Sequence, residues 1–263
     1  MHRLLFAWLK EQWLILPVLG ALLVLLNVCM YIAWNLLGGA DGILGSLLQD
    51  GIEMLQVFGG EGVSSENLSA SYLAVGWRHP IVVAMLAGYA ASRGSKAVAR
   101  EIEEERSEFL FSLPYPRFVI VLAHFFTTLL GVAALAALLV YSSIYFSRTF
   151  GPEIEASNFV ATGYLTFGLY MAVASMAYFF SSLLRRGGLA QYFTLVIFLI
   201  LYVADFGANL GFWENSRYTI FVNYKVAEAL GGLSSLGPET MGFLGIAALF
   251  FAASLAFTTV RSL

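Results

Sequence analysis

The chain has little charge and almost no cysteine. Only 12% of its 263 residues are charged, whereas soluble domains contain about 25% charged residues. The single cysteine, Cys29, excludes an intrachain disulfide bond, and the net charge of −3 is too small to indicate a nucleic-acid partner. Apolar residues make up 59% of the chain and the mean hydropathy is +0.79, more than the core of a soluble protein can bury. We therefore expect an integral membrane protein.

The apolar residues are concentrated in six long runs. A helix that crosses the hydrocarbon layer of a bilayer needs about 20 mostly apolar residues. The runs are continuous, whereas the strands of a transmembrane β-barrel alternate apolar and polar residues. We therefore predict an all-α polytopic fold in one domain, residues 1–263. Its six membrane spans are predicted near residues 14–36, 79–98, 118–146, 158–184, 188–208 and 241–260.

The start of the chain, residues 1–13, allows two interpretations. Basic residues precede the apolar run that begins at Leu14, as in a signal peptide. That run is nevertheless long enough to span, and no small-residue cleavage site follows it. In a helix, four apolar residues share one side, namely Leu5, Trp8, Leu9 and Trp13. We therefore expect an interfacial helix that lies along the membrane surface.

The distribution of basic residues predicts the orientation. With six spans, both termini lie on one side, together with residues 94–117. That side holds ten of the 14 Lys and Arg residues. The positive-inside rule therefore places both termini and residues 94–117 in the cytoplasm. We expect the protein in the inner (cytoplasmic) membrane. Residues 209–240 fall outside, and we expect short re-entrant helices there. Their mixture of aromatic and charged residues is too polar to span and too apolar for a free loop, so they form either an amphipathic surface helix or an external gate.

Residues 94–117 form a charged segment between two apolar runs. Five of the 17 acidic residues lie in it, and each charge costs about 2.5–3.5 kcal/mol at the centre of a membrane helix. Apolar residues at helical spacing predict one apolar face, and Pro114 and Pro116 end the helix. The segment is either a solvated loop helix or a helix that docks on a soluble partner.

The run from Ala99 to Arg117, AREIEEERSEFLFSLPYPR, resembles the cytoplasmic signature of type-2 ABC transporter permeases. That signature reads approximately A-x-E-x-E-x-G-T-L-E-x-L-L-S-L-P-x-x-R. The matching positions are Ala99, Glu101, Glu103, Glu108, Leu110, Ser112, Leu113, Pro114 and Arg117. The sequence departs from the signature at residues 105–107, where Glu-Arg-Ser replaces the usual Gly-Thr-Leu.

The resemblance implies that residues 99–117 form a coupling helix that rests on an ABC ATPase subunit. The residues expected to make this contact are Glu101, Ile102, Glu103, Glu108, Phe109, Leu110, Leu113, Pro114 and Arg117. The resemblance also implies a permease homodimer or heterodimer with two ATPase copies. The chain has no Walker A motif, so we expect no cofactor here and expect ATP and Mg²⁺ on the partner.

The remaining polar residues show no catalytic or metal-binding pattern. The three histidines are scattered, without ligand spacing, and we interpret them as interface residues. Arg185 and Arg186 in a predicted cytoplasmic turn are either a positive-inside anchor or a second contact with the ATPase. Asp205, near the end of the fifth predicted span, is either a cap of that helix or a substrate contact.

The expected function is therefore the permease subunit of an ATP-driven exporter for a hydrophobic or amphipathic substrate. A secondary transporter is one alternative, but it needs ionisable residues in the bundle interior, and the spans offer almost none. A membrane-embedded enzyme needs a clustered polar site, which the sequence does not show. A non-transporting assembly subunit with the same fold is a further alternative that remains open.

Overall fold

A computed structural model describes residues 8–60, 62–103, 116–212, 219–232 and 237–260. Within these ranges the chain consists of helices joined by turns, and no β-strand occurs. The prediction of an all-α fold is confirmed. The α-helices are α1 (Ile15–Leu36), α2 (Ile43–Asp50), α3 (Ile52–Gly59), α4 (Leu68–Trp77), α5 (Pro80–Ser95), α6 (Ala99–Glu103), α7 (Arg117–Phe150), α8 (Ala156–Leu183), α9 (Gly187–Asn209), α10 (Val226–Gly231) and α11 (Gly237–Val260).

Five helical stretches in the described part of the chain are long and apolar enough to cross a membrane. They are Trp8–Leu36, Arg117–Phe150, Ala156–Leu183, Gly187–Asn209 and Gly237–Thr259. The predicted span at 79–98 corresponds to α5, which has 16 residues and a length of about 24 Å. The hydrocarbon core is about 30 Å thick, so the predicted count of six spans is not confirmed.

Helix α5 is short because His79 and Pro80 start a new helix within a longer apolar run. Pro80 occupies the first turn, where a missing backbone N–H costs nothing, and the Nδ1 atom of His79 accepts a bond from Ile81 N at 3.3 Å. Arg78 ends the preceding helix, α4. The apolar run is therefore divided into two helices, α4 and α5, which meet at Arg78 and His79.

The centre of the bundle is α8, which packs against α5, α7, α9 and α11. Small residues allow these helices to approach closely. At Gly94 of α5, an added Cβ would lie 2.3 Å from the carbonyl oxygen of Ala174 on α8. The outer faces of the bundle are instead apolar and exposed, as at Leu25, Ile200 and Leu249. This pattern is that of a helical bundle surrounded by lipid.

The two ends of the bundle are called here the Arg93 end and the Arg78 end. The Arg93 end comprises residues 8–12, the region 93–103 and the turn between α8 and α9. The Arg78 end comprises α2 to α4, the turn between α7 and α8, and residues 219–232. Hydrogen bonds such as that from Asn158 Nδ2 to the Leu230 carbonyl, at 3.0 Å, hold this end together.

Residues 8–12 are helical and lead through a turn into α1. Trp8 is buried against Ile120 and Ala123 of α7, whereas Trp13 is 73% exposed. A turn at residues 13–14 separates this short helix from α1, and the interfacial helix stays a prediction. The first part of that predicted helix, residues 1–7, lies outside the described residues.

Candidate functional site

The turn between α5 and α6 is held by one serine of α8. Ser181 Oγ accepts hydrogen bonds from Val98 N at 3.1 Å and Ala99 N at 2.9 Å, and it donates to the Ser95 carbonyl at 3.0 Å. Ser181 is completely buried, as is Ala99. Since three polar groups of the turn depend on this hydroxyl, Ser181 determines where the charged segment leaves the bundle.

The charged segment also contacts the first residue of α9. The Oε2 atom of Glu103 accepts a hydrogen bond from Gly187 N at 3.0 Å. A carboxylate is favoured there because the first amides of a helix carry partial positive charge. A Cβ at Gly187 would lie 3.1 Å from Arg100 Cβ, so α6 packs tightly on this turn. The described start of segment 99–117 therefore contacts the residue that follows 185–186, at the Arg93 end.

A polar cavity of about 400 Å³ lies beside this contact. Lys96 and Arg100 line it, together with Gln191 of α9. Burial lowers the pKa of Lys96, and the neighbouring cations of Arg100 and Arg93 lower it further. The first residues of the charged segment, together with Arg93, thus form a cluster of cations at the Arg93 end.

The residues of the predicted coupling site differ in their surroundings. Ile102 is partly buried and packs on the cluster formed by Ala97, Val98, Val121 and Tyr178. Arg117 is the first residue of α7, and Arg185 and Arg186 are exposed. Glu101 is half-buried on α6. The remaining predicted contacts lie outside the described residues: Glu108, Phe109, Leu110, Leu113 and Pro114.

The Arg93 end also contains a buried polar network that was not predicted from the sequence. Arg93 is 1% exposed, with its Nη2 atom 3.5 Å from His124 Nε2 and its Nη1 atom 3.5 Å from Glu11 Oε2. The Tyr178 hydroxyl lies 2.5 Å from His124 Nδ1 and 2.8 Å from Thr128 Oγ1. The side chain of His124 is buried between helices, a contact that its interpretation as an interface residue did not include. An arginine and a histidine within apolar runs are the signal that predicts such a site.

At the opposite end, Arg78 and Asp205 form a buried ion pair between Nη2 and Oδ2. Arg78 Nη1 also donates to the Tyr224 carbonyl at 3.0 Å, and the Tyr202 hydroxyl donates to the Arg78 carbonyl at 3.0 Å. Thr219 Oγ1 donates to Asp205 Oδ1 at 3.3 Å. The pair thus joins the α4–α5 junction, α9 and residues 219–224, a role that neither sequence interpretation of Asp205 included.

The tyrosine at this pair is itself enclosed. Tyr224 is completely buried, and its ring lies 5.9 Å from the guanidinium carbon of Arg78. Burial raises the pKa of Tyr224 to about 12, so its phenol stays protonated at neutral pH. The tyrosine therefore adds an aromatic face and a neutral hydroxyl to the site, rather than a second charge.

These features define a multi-pass α-helical membrane protein with charged elements gathered at one end of its bundle. The chain belongs to the ABC-2 family of transporter proteins, whose sequence pattern matches residues 13–216. It is therefore a type-2 ABC transporter permease, the transmembrane and non-catalytic component, and its family implies partnership with an ABC ATPase. Neither a curated protein nor a solved structure matches the chain.

Proposed function

We propose that the chain is the permease subunit of an ATP-driven exporter in the cytoplasmic membrane, with both termini and the Arg93 end in the cytoplasm. Two copies form a dimer with two ATPase subunits, which bind ATP and Mg²⁺. Residues 99–117 are the coupling segment that rests on the ATPase. The main structural support for this proposal is the bond between Glu103 and Gly187, which joins the described start of the coupling segment to the turn that carries Arg185 and Arg186.

The anchoring of the coupling segment supports the same proposal. Its first residues are fixed to α8 by Ser181, and its last residue, Arg117, begins α7. Both ends of the segment are thus attached to helices of the bundle. A partner that moves the segment should therefore also move α7 and α8. A loop without such attachments could change its own conformation and leave the helices in place.

The apolar residues of the segment are expected to contribute most of the binding energy. Loss of one apolar anchor from an interface costs about 2 kcal/mol or more, whereas an exposed rim charge costs less than about 1 kcal/mol. Phe109→Ala should therefore reduce copurification of the ATPase more than Glu108→Gln. Glu66→Gln, an exposed change at the Arg78 end, is the control.

The readouts are the amount of ATPase that copurifies and ATP hydrolysis in reconstituted liposomes. Binding and hydrolysis at the wild-type level in both Phe109→Ala and Leu110→Ala would show that the segment is only a solvated loop. The proposal predicts that both variants lose binding while Glu66→Gln keeps it.

The cargo proposed for the exporter is hydrophobic or amphipathic. Aromatic residues make up 15% of the chain, and the grooves between its long helices are apolar, such as that of about 330 Å³ lined by Ala136, Tyr141 and Tyr164. An amphiphilic drug or lipid should therefore stimulate ATP hydrolysis by the reconstituted complex. Stimulation by a free sugar or a small ion, and not by amphiphiles, would contradict this part of the proposal.

A further inference from the structure

Helix α9 makes a polar contact near each of its ends, and between them one side of the helix packs on the bundle. At its start, Gly187 N binds Glu103, and near its other end Asp205 pairs with Arg78. Most buried residues of the helix form one stripe: Gly187, Ala190, Thr194, Phe198 and Asp205. The opposite side is exposed over most of the length, as at Tyr192, Ile200 and Val203, and is buried near the Arg78 end, at Gly207. A helix that packs mainly along one stripe can shift as a rod with less disruption of the core than α8.

The short helix α6 rests on α9 and on α8. Of these two, α8 is buried on nearly all sides, so it is the less free to move. Gly187 and Asp205 are 18 positions apart within α9, which corresponds to about 27 Å along an α-helix. A displacement of α6 at the Arg93 end can therefore move α9 as a rigid helix, and α9 carries Asp205 of the buried ion pair at the Arg78 end.

We propose that Glu103 is a positioning residue that ties the coupling segment to α9. Its carboxylate holds the first amide of α9, so that movement of the segment becomes movement of α9 and reaches the Arg78–Asp205 pair. This inference rests on the proposed function, because the movement originates in the ATPase. Glu103 thereby acts within the chain and does not pair with a basic residue of the partner.

Glu103 could either hold α9 or pair with a basic residue of the ATPase, and these two roles predict different effects of substitution. A glutamine keeps an oxygen that can accept the Gly187 N–H but removes the negative charge, whereas alanine removes both. If Glu103 holds α9, Glu103→Gln retains coupling and Glu103→Ala loses it. If Glu103 instead pairs with a basic residue of the ATPase, both variants lose the charge and weaken association in a salt-dependent way.

The test uses the complex of the full chain with its copurifying ATPase. The parent carries Cys29→Ala and Leu210→Cys, which places one thiol at the end of α9, where Leu210 is 46% exposed. The rate of labelling with a maleimide is measured without nucleotide and after trapping with ATP and vanadate. We expect a trapping-dependent change in the parent, its loss in Glu103→Ala and its retention in Glu103→Gln and in the control Glu66→Ala. ATPase copurification should be equal in all of them.

The possible failures are distinguishable. If the parent binds no ATPase, the proposed function is overturned and this inference with it. If the ATPase binds but the parent shows no trapping-dependent change, or Glu103→Ala responds like the parent, the inference alone is overturned. Loss of the response in both Glu103 variants, with salt-sensitive association, assigns Glu103 to the partner instead. Should Glu103→Ala not fold, Glu103→Asp replaces it, because its carboxylate ends one methylene short of Gly187.

Discussion

Arg78 and Asp205 pair with each other in the interior of the Arg78 end, although 127 positions separate them in the chain. Their side chains are only 3% and 6% exposed. Removing two charges from water is costly, and their attraction compensates only when further hydrogen bonds satisfy the remaining polar atoms. Here Tyr224 and Thr219 provide such bonds. Within the described residues only the Nε atom of Arg78 among its side-chain nitrogens lacks a hydrogen-bond partner. The two charges therefore depend on each other, and removal of either one alone should carry a large penalty.

Asp205→Asn should strongly destabilise the protein. The substitution leaves the Arg78 guanidinium buried without a counter-charge, which costs about 3–5 kcal/mol when one member of a buried pair is lost. The free energy of unfolding in detergent micelles, from chemical denaturation, should fall by that amount. Arg148→Gln removes an exposed cation from the same end and is the control.

The double variant Arg78→Leu with Asp205→Leu provides the second arm of this experiment. Since it removes both charges together, it should unfold at a higher denaturant concentration than Asp205→Asn alone. If Asp205→Asn is as stable as the wild type, the ion pair is not formed in the folded protein.

Two glycines of the same helix, α5, should respond differently to alanine. A Cβ at Gly94 would lie 2.6 Å from Ala177 Cβ, whereas a Cβ at Gly88 meets no atom within 4 Å. Gly94→Ala therefore pushes α5 away from α8 and should cost about 1–3 kcal/mol. Gly88→Ala should be neutral or slightly stabilising, by less than about 1 kcal/mol, because alanine favours the helix. Equal melting temperatures of the two variants in detergent would exclude the close packing of α5 on α8.

The sequence allowed the helical class and most of the long helices to be predicted, because apolar runs of sufficient length have few other solutions in a membrane protein. Helix α5 begins at Pro80, next to the start of the span expected near residue 79, whereas the preceding helix, α4, was not predicted because it is too short to give a hydropathy signal of its own. The partners of Asp205 and Ser181 were also missed. These contacts join residues far apart in sequence, and their side chains carry no motif that indicates which helices pack together.

The orientation of the bundle can be tested at two exposed positions at opposite ends. Gly188 is the second residue of α9, at the Arg93 end, and Glu66 lies in a short 3-10 helix at the Arg78 end. Cysteines at these positions, each in a Cys29→Ala background, should react differently with an impermeant maleimide in intact cells. The basic residues of the Arg93 end predict that Glu66→Cys is labelled from outside and Gly188→Cys only after permeabilisation. The reverse pattern would place the coupling segment outside and would contradict the proposed function.

Ser181→Ala should loosen the start of the coupling segment. The substitution leaves the amides of Val98 and Ala99 without their acceptor, and each buried unsatisfied group costs about 1–3 kcal/mol. Hydrogen exchange of the peptide that contains these amides should become faster, while exchange in α11 stays unchanged. Thr162→Val is the matched control in α8, because among the described residues the Thr162 hydroxyl bonds only to the carbonyl of Asn158 in its own helix, and no amide depends on it there. Unchanged exchange at residues 98 and 99 in Ser181→Ala would mean that the segment is held by other contacts. Faster exchange with normal folding would identify the serine as the residue that fixes the coupling segment to the central helix.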